Sequence, residues 1–395
     1  LREMRFVLEE LVGLEAVATL PGFEDVSAET VSAILAEAGR FATEVLAPLN
    51  QSGDQEGCRL ESGAVITPVG FREAYTSFTA GGWNGLGSPE SLGGHGLPAL
   101  VATAAWEIWN SANVSFALCP ALTQAATQTL DAHGSDDQKQ TWLPGLVSGQ
   151  WTGAMVMTEP EAGSDLAAIR TRAVPDGDHY RLTGRKIFIS WGEHDLTDNI
   201  IHLVLARTEG APCGSRGLSL FLVPKFLPGE DGGPGLRNDM HAVALEHKLG
   251  LHASPTAMMA YGDGDGAVAY LVGDKNNGLA SMFTMMNNAR LAIGHQGLGI
   301  AERAYQQARD YARERLQGRA DGMDEAGPHP IIHHADVRRM LMSMRCRIEA
   351  MRALCCWTAL SVDVAQSHGD TDIRAQHGAR VALLTPLVKS WCTDQ

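Results

Sequence analysis

The chain has 395 residues, 45% hydrophobic and 19% charged, with 31 Lys and Arg against 46 Asp and Glu for a net charge of −15. At roughly 150 residues per domain this is material for two or three domains, and with no uninterrupted apolar run of about 18 residues it excludes disorder, coiled coil and a membrane span. The acidic balance repels polyanions and speaks against nucleic acid as a partner.

Leu1 to Glu10 reads as a polar amphipathic start without a charged-then-apolar leader, and a first residue other than Met implies missing residues ahead of it. To about residue 152 apolar positions recur at helical spacing, as in the run that opens at Val26-Ser27-Ala28-Glu29 and reaches Val45, so residues 1–152 are expected to form a helical domain. Gly81-Gly82-Trp83-Asn84-Gly85-Leu86-Gly87 and Gly93-Gly94-His95-Gly96 are glycine-dense loops within it, and Pro144-Gly145 with Gly149 is expected to close it.

Residues 153–273 change texture. Short runs rich in Val, Ile, Leu and Phe (Ala154 to Met157, Lys186 to Ser190, Ile200 to Ala206, Leu218 to Val223, Ala257 to Tyr261) alternate with Gly, Pro and Asp, which predicts an antiparallel β-domain. Helical periodicity returns over Leu279 to Leu316, Ile332 to Gln366 and Thr371 to Gln395, giving a helical bundle over 274–395. Its last helix has no Gly cap, Pro or polar tail and is expected to be cut in mid-course, which leaves the bundle incomplete. The fold class is therefore α+β.

Seven cysteines without a C-x-x-C pair fit a reduced, cytoplasmic protein. There is no G-x-x-x-x-G-K, H-E-x-x-H or G-x-S-x-G. Gly262-Asp263-Gly264-Asp265-Gly266 lacks the register of a calcium loop and reads as a hairpin turn. His241, His247 and His252 are dispersed, and the adjacent His333 and His334 would diverge by about 100° on a helix, so no metal is expected.

The informative stretch is Met155-Val156-Met157-Thr158-Glu159-Pro160-Glu161-Ala162-Gly163-Ser164-Asp165. A strand ending near Met157 or Thr158, an exit fixed by Pro160 and a Gly163-Ser164 concavity suit an anionic or carbonyl-rich ligand. On its own, the T-x-P-x-x-G-S pattern reads more readily as a capped β-turn with no ligand, because Ser, Asp and Pro are ordinary turn formers.

The Thr158–Asp165 run resembles the signature of the acyl-CoA dehydrogenase family. Gly82–Gly87 with Gly93–Leu97, Leu182-Thr183-Gly184-Arg185-Lys186-Ile187-Phe188-Ile189-Ser190, Lys248–Thr256 and Asn288–Gly294 resemble further family motifs in the right order. The resemblance covers nearly the whole chain. The Arg313–Arg319 stretch followed by Ile331 to Leu341 is most similar to a long bacterial subgroup that includes 3-methylmercaptopropionyl-CoA dehydrogenases, which would make this chain a fragment.

The resemblance implies an acyl-CoA dehydrogenase fold with an N-terminal helical domain, a middle β-domain and a C-terminal bundle, and it implies FAD. Met155, Met157 and Thr158 would line the face and edge of the flavin, with Gly163 and Ser164 at the turn. Phe188, Ile189 and Ser190 would cover the opposite side, where the family more often has Trp and Thr. Ordinary strand alternation would instead point Phe188 inward. Ser164 would contact both the FAD pyrophosphate and CoA. Arg315 and Gln317 would reach the FAD of a neighbouring subunit in a homodimer or dimer of dimers, although on spacing alone they read as a solvated helix face. Asn287 and Arg290 would contact substrate and steady the catalytic carboxylate.

The implied reaction is α,β-dehydrogenation of an acyl-CoA thioester to the trans-2-enoyl-CoA, with electron-transfer flavoprotein as acceptor. Subgroup similarity hints at a short or methylthio-substituted acyl chain. Most members carry the base as a Glu after the helix that here begins near Ala375. A minority place it immediately before the Arg matched by Arg290, where this chain has Ala289. The expected base therefore lies beyond Gln395, and no catalytic residue is assigned within the chain. A flavin oxidase or monooxygenase, or a base-less flavoprotein with a binding role, remain alternatives. Met282, Met285, Met286 and Met342 could line an acyl pocket, but such stripes are more often core filler.

Overall fold

Helix starts follow local chemistry. Ser27 accepts the Thr30 amide at 3.1 Å and opens helix Ala28–Phe41, Ser135 and Gln138 form a reciprocal capping box on helix Asp136–Ser148, and Asp370 accepts the Asp372 amide at 2.8 Å to start helix Thr371–Asp394. The computed structural model describes residues 1–229, 233–323 and 326–395. These group into two units, one of Leu1–Glu44, Leu97–Val114 and Arg290–Gln395, the other of Val45–Gly96 and Ser115–Ala289. Two crossings between units fall inside long helices: Ala99–His133, where Asn113 leaves helical geometry at φ −158° and ψ 92°, and Gly278–Glu314.

The first unit is helical among its described residues. Helices Ala335–Ser367 and Thr371–Asp394 share with Gly278–Glu314 a core built from Leu298, Ile348, Met351, Cys355, Val388 and Cys392. Arg352, almost fully buried, donates to Glu107 from Nε at 2.9 Å and from Nη2 at 2.6 Å, and to Glu302 at 2.8 Å. His333 ends a short 3-10 turn and His334 is the N-cap of Ala335–Ser367, so the two do not share a helix.

The second unit carries an eight-stranded sheet among its described residues. Strand His179–Ser190 pairs with Ala267–Val272, which pairs with Leu218–Pro224, then Asn199–Thr208, then Arg172–Asp176, which returns to His179–Ser190. These five ladders close a ring, leaving no edge there. One buried apolar cluster of this sheet includes Ala154, Val156, Leu182, Ile200, Val204, Phe221 and Tyr261. Strand Asn199–Thr208 is buried along nearly its whole length because it is covered on both faces, which explains its continuous apolar run.

Three local expectations change. Most ladders are antiparallel, but Trp151–Val156 and Arg172–Asp176 pair parallel to Asn199–Thr208, because the long connection after Val156 supplies the crossover that parallel pairing needs. Gly262–Gly266 is not a hairpin turn. The strands on either side of it, Thr256–Tyr261 and Ala267–Val272, both run antiparallel to His179–Ser190 and are not bonded to each other, and Asp239 holds the loop by accepting the Gly264 and Gly266 amides at 2.9 and 3.1 Å. Pro144 and Gly145 lie inside helix Asp136–Ser148, and Gly149 alone closes it, in left-handed backbone at φ 77°.

Candidate functional site

Strand Trp151–Val156 ends where the backbone turns through Met157, Thr158 and Glu159. Glu159 and Ala162 exchange backbone hydrogen bonds at 3.0 Å each, so Glu159 to Ala162 is a closed turn directly after Thr158. Beneath it lies Lys186, with no exposed surface. Its ammonium donates to the carbonyls of Met157 and Leu205 at 2.8 Å each and pairs with Glu159 Oε1 at 2.9 Å, so all three donors are used. The Glu159 carboxylate also accepts the amides of Arg170 at 2.7 Å and Thr171 at 3.0 Å and the Thr171 hydroxyl at 2.5 Å. Burial would raise the Glu159 carboxyl, but Lys186 and these donors hold it below the usual carboxylate range. Burial brings the Lys186 ammonium down to about 8, with Glu159 opposing the shift, so the pair is ionised at neutral pH.

The next strand is tied to this turn, since the Ile187 amide donates to the Thr158 carbonyl at 2.9 Å. Opposite it, Ile189 pairs with Ala257 and Lys186 with Met259, leaving Ile187 and Phe188 across from Met258. This is a β-bulge. Phe188 sits in it at φ 60°, backbone that a bulky residue rarely adopts. The bulge overturns ordinary alternation: Lys186 and Ile189 are both buried, and the Phe188 ring, 58% exposed, is turned outward. Trp191 follows at φ 54°, a second strained residue at the same strand end. Ser190 is half-buried and pairs with Thr256, which brings the Lys248–Thr256 motif alongside.

The sequence-predicted residues distribute as follows. Met155, Met157 and Thr158 are half-buried, and Gly163 and Ser164 are exposed. A Cβ on Gly163 would meet only the Thr158 methyl, at 4.0 Å, so the glycine leaves the space beside Thr158 open. Ile189 is in the core, so only its backbone is available to a ligand. Asn287 is exposed on the first turns of Gly278–Glu314, while Met282 and Met285 there are fully buried and share an apolar cluster with Met155, Met157 and Met286, the core-filler alternative. Met342 is exposed and belongs to the other unit.

Arg290, Arg315 and Gln317 also belong to that other unit. Arg290 is half-buried. Arg315 and Gln317 are exposed on a backbone fixed by the bridge of Leu316 to Pro330: the Ile331 amide donates to the Arg315 carbonyl at 2.8 Å and the Gln317 amide to the His329 carbonyl at 3.0 Å. Their side chains project from an ordered turn rather than from a helix face.

Sequence reasoning missed Glu159 and Lys186. A lone Lys inside the apolar run Lys186-Ile187-Phe188-Ile189, with a Glu in the preceding motif, was the available signal. Chemically, an exposed aromatic ring, two thioethers, and the hydroxyls of Thr158, Ser164 and Ser190 around a rigid turn suit a flat heteroaromatic group with a polar edge and an anionic tail. Among the described residues no cluster of His, Cys, Asp and Glu could hold a metal, and no helix is long and apolar enough to cross a membrane.

Residues 28–150, 154–263 and 276–383 match the family models of the acyl-CoA dehydrogenase N-terminal, middle and C-terminal domains. The chain is 49% identical over 395 residues to a 3-methylmercaptopropionyl-CoA dehydrogenase of Ruegeria pomeroyi, covering 100% of this chain and 66% of that protein. It is 34% identical over 406 residues to a butyryl-CoA dehydrogenase of Syntrophomonas wolfei, with the same two coverages of 100% and 66%. In fold it is similar to butyryl-CoA dehydrogenase of Megasphaera elsdenii, with a TM-score of 0.68 at 24% identity over 91% of this chain and 88% of the other. The chain thus spans 66% of the length of these curated relatives.

Proposed function

Because this chain belongs to the acyl-CoA dehydrogenase family, we propose that it binds FAD at the strand ends around Thr158 and Phe188 and serves α,β-dehydrogenation of an acyl-CoA thioester. The observation that carries the reading is the bulge that turns Phe188 outward beside the locked Thr158 turn. The donor set fits the cofactor: an exposed ring and thioethers for the flat isoalloxazine, hydroxyls for its polar edge, and Ser164 at an open turn for phosphate.

When bound, FAD supplies the hydride acceptor. The chain's own residues do the rest. Thr158 and Ser190 orient the cofactor by hydrogen bonding, Phe188 covers one face and excludes water, and Met155 and Met157 pack the other side. Asn287 and Arg290 position substrate and the carboxylate that takes the α-proton, and we assign that carboxylate to no residue here. Arg315 and Gln317, exposed on their ordered turn, would meet the cofactor of a second subunit in a homodimer or dimer of dimers. The three-domain division at 1–152, 153–273 and 274–395 is supported by where the family models match.

The 49% identity to a 3-methylmercaptopropionyl-CoA dehydrogenase favours a short, methylthio-substituted acyl chain as substrate. Electron-transfer flavoprotein as acceptor, a place in acyl-chain catabolism and a cytoplasmic location complete the proposal. The test is anaerobic titration of the FAD-loaded full-length gene product with acyl-CoA thioesters of increasing length, so that the carboxylate that takes the α-proton is present. Loss of flavin absorbance with methylthiopropionyl-CoA and weaker response to longer chains is expected. A flavin that stays oxidised with every thioester would overturn the reading.

A further inference from the structure

The pair formed by Glu159 and Lys186 lies under the turn that carries Met157 and Thr158, and nothing in the proposed reaction uses it. Both residues are buried, both are fully hydrogen-bonded, and Lys186 holds three separate pieces of backbone and side chain: the Met157 carbonyl, the Leu205 carbonyl and Glu159. Lys186 is also the first residue of the bulge that ends with Ile189. One ammonium therefore fixes the turn with its first carbonyl, the neighbouring strand with its second, and the bulge through its own backbone.

We propose that Lys186 and Glu159 are positioning residues for the cofactor, which hold Thr158 and Phe188 in register and set a balanced pair of charges directly behind the face on which the isoalloxazine rests. This inference rests on the FAD reading above. A buried ion pair seldom adds net stability over apolar residues of the same volume, so stability alone does not account for this pair's place. Here Glu159 follows Thr158 directly in the chain and Lys186 pairs with it at 2.9 Å, both buried, where the low dielectric strengthens their field. Together they nearly cancel. Separately they do not: a lone cation would favour the more negative, reduced flavin, and a lone anion the oxidised one.

Three variants test this: E159Q, K186M and the double substitution. Amide hydrogen exchange over 158–165 in the cofactor-free protein reads the lock, and the flavin midpoint potential reads the field, with E159Q measured on the acid side of neutrality and K186M on the alkaline side, each beside wild type at the same pH. Both single variants should speed exchange over the turn by about tenfold or more. E159Q should raise the potential and K186M should lower it, and the double variant should return it toward wild type. A merely structural pair would shift both potentials the same way or neither, and that result, or unchanged exchange, would overturn the proposal. Failure of wild type to take up FAD would refute the functional reading instead, and the exchange measurement would still judge the lock. Should a single variant not fold, the double variant, which leaves no unpaired buried charge, carries the test: faster exchange over 158–165 is expected, and exchange as slow as in wild type would overturn positioning by this pair.

Discussion

The carbonyl of Thr158 accepts the amide hydrogen of Ile187 at 2.9 Å, one residue before Phe188 turns into left-handed backbone. Two motifs well separated in sequence are thereby joined edge to edge through their backbones. In the proposed FAD site the Thr158 hydroxyl would donate to a polar ring edge. Thr158→Val keeps the shape and leaves that backbone bond intact, so the fold should hold while FAD affinity falls by about 3- to 10-fold, the worth of one neutral hydrogen bond. Fluorescence titration with FAD measures it, and an unchanged affinity would remove Thr158 from the site.

Phe188 stores strain for the sake of exposure. At φ 60° a residue without a side chain is at ease, so Phe188→Gly should stabilise the cofactor-free protein by about 1 kcal/mol while weakening FAD binding. Urea unfolding and FAD titration of the same preparation read both effects. A variant that loses stability, or binds FAD as well as wild type, would contradict the role given to the bulge.

In the helical unit, Arg352 is bonded through two nitrogens to Glu107 and through Nη2 to Glu302. Arg352→Met leaves Glu107 buried without its partner and should cost about 3–5 kcal/mol, whereas the double change Glu107→Leu with Arg352→Met should recover most of it. Denaturant midpoints of the three proteins decide this.

Asp363 gives a pH signature. Its carboxylate accepts the amides of Ala99 and Leu100 at 2.6 and 3.0 Å, yet burial outweighs these bonds and raises its carboxyl from 3.8 to about 7. The folded state thus binds the proton more tightly than the unfolded chain. The stabilisation from this group is complete below 3.8 and is lost as pH rises through about 7. Asp363→Asn should flatten that decline in thermal stability, and a variant with the wild-type pH profile would show that another group is responsible.

Much of this was legible in the chain. Helix boundaries follow from caps such as Ser27 and Asp370, and the strand positions from apolar runs such as Ile200 to Ala206, because local propensity and burial agree there. What was not legible depends on pairing. The Gly262–Gly266 loop has hairpin composition, but its flanking strands share a third strand, a fact of register that no local pattern encodes. Phe188 was readable as inward by alternation, and only the bulge opposite Met258 reverses it. Lys186 and Glu159 escaped notice because a buried ion pair is invisible until both partners are placed.

The most direct measurement is titration of the purified protein with FAD, reading fluorescence quenching and absorbance, for wild type, Thr158→Val and Phe188→Ala together. The account predicts saturable uptake of one FAD per chain, weakened by both substitutions while the fold persists. A protein that leaves FAD fluorescence unquenched, or binds it with an affinity indifferent to both side chains, would contradict it.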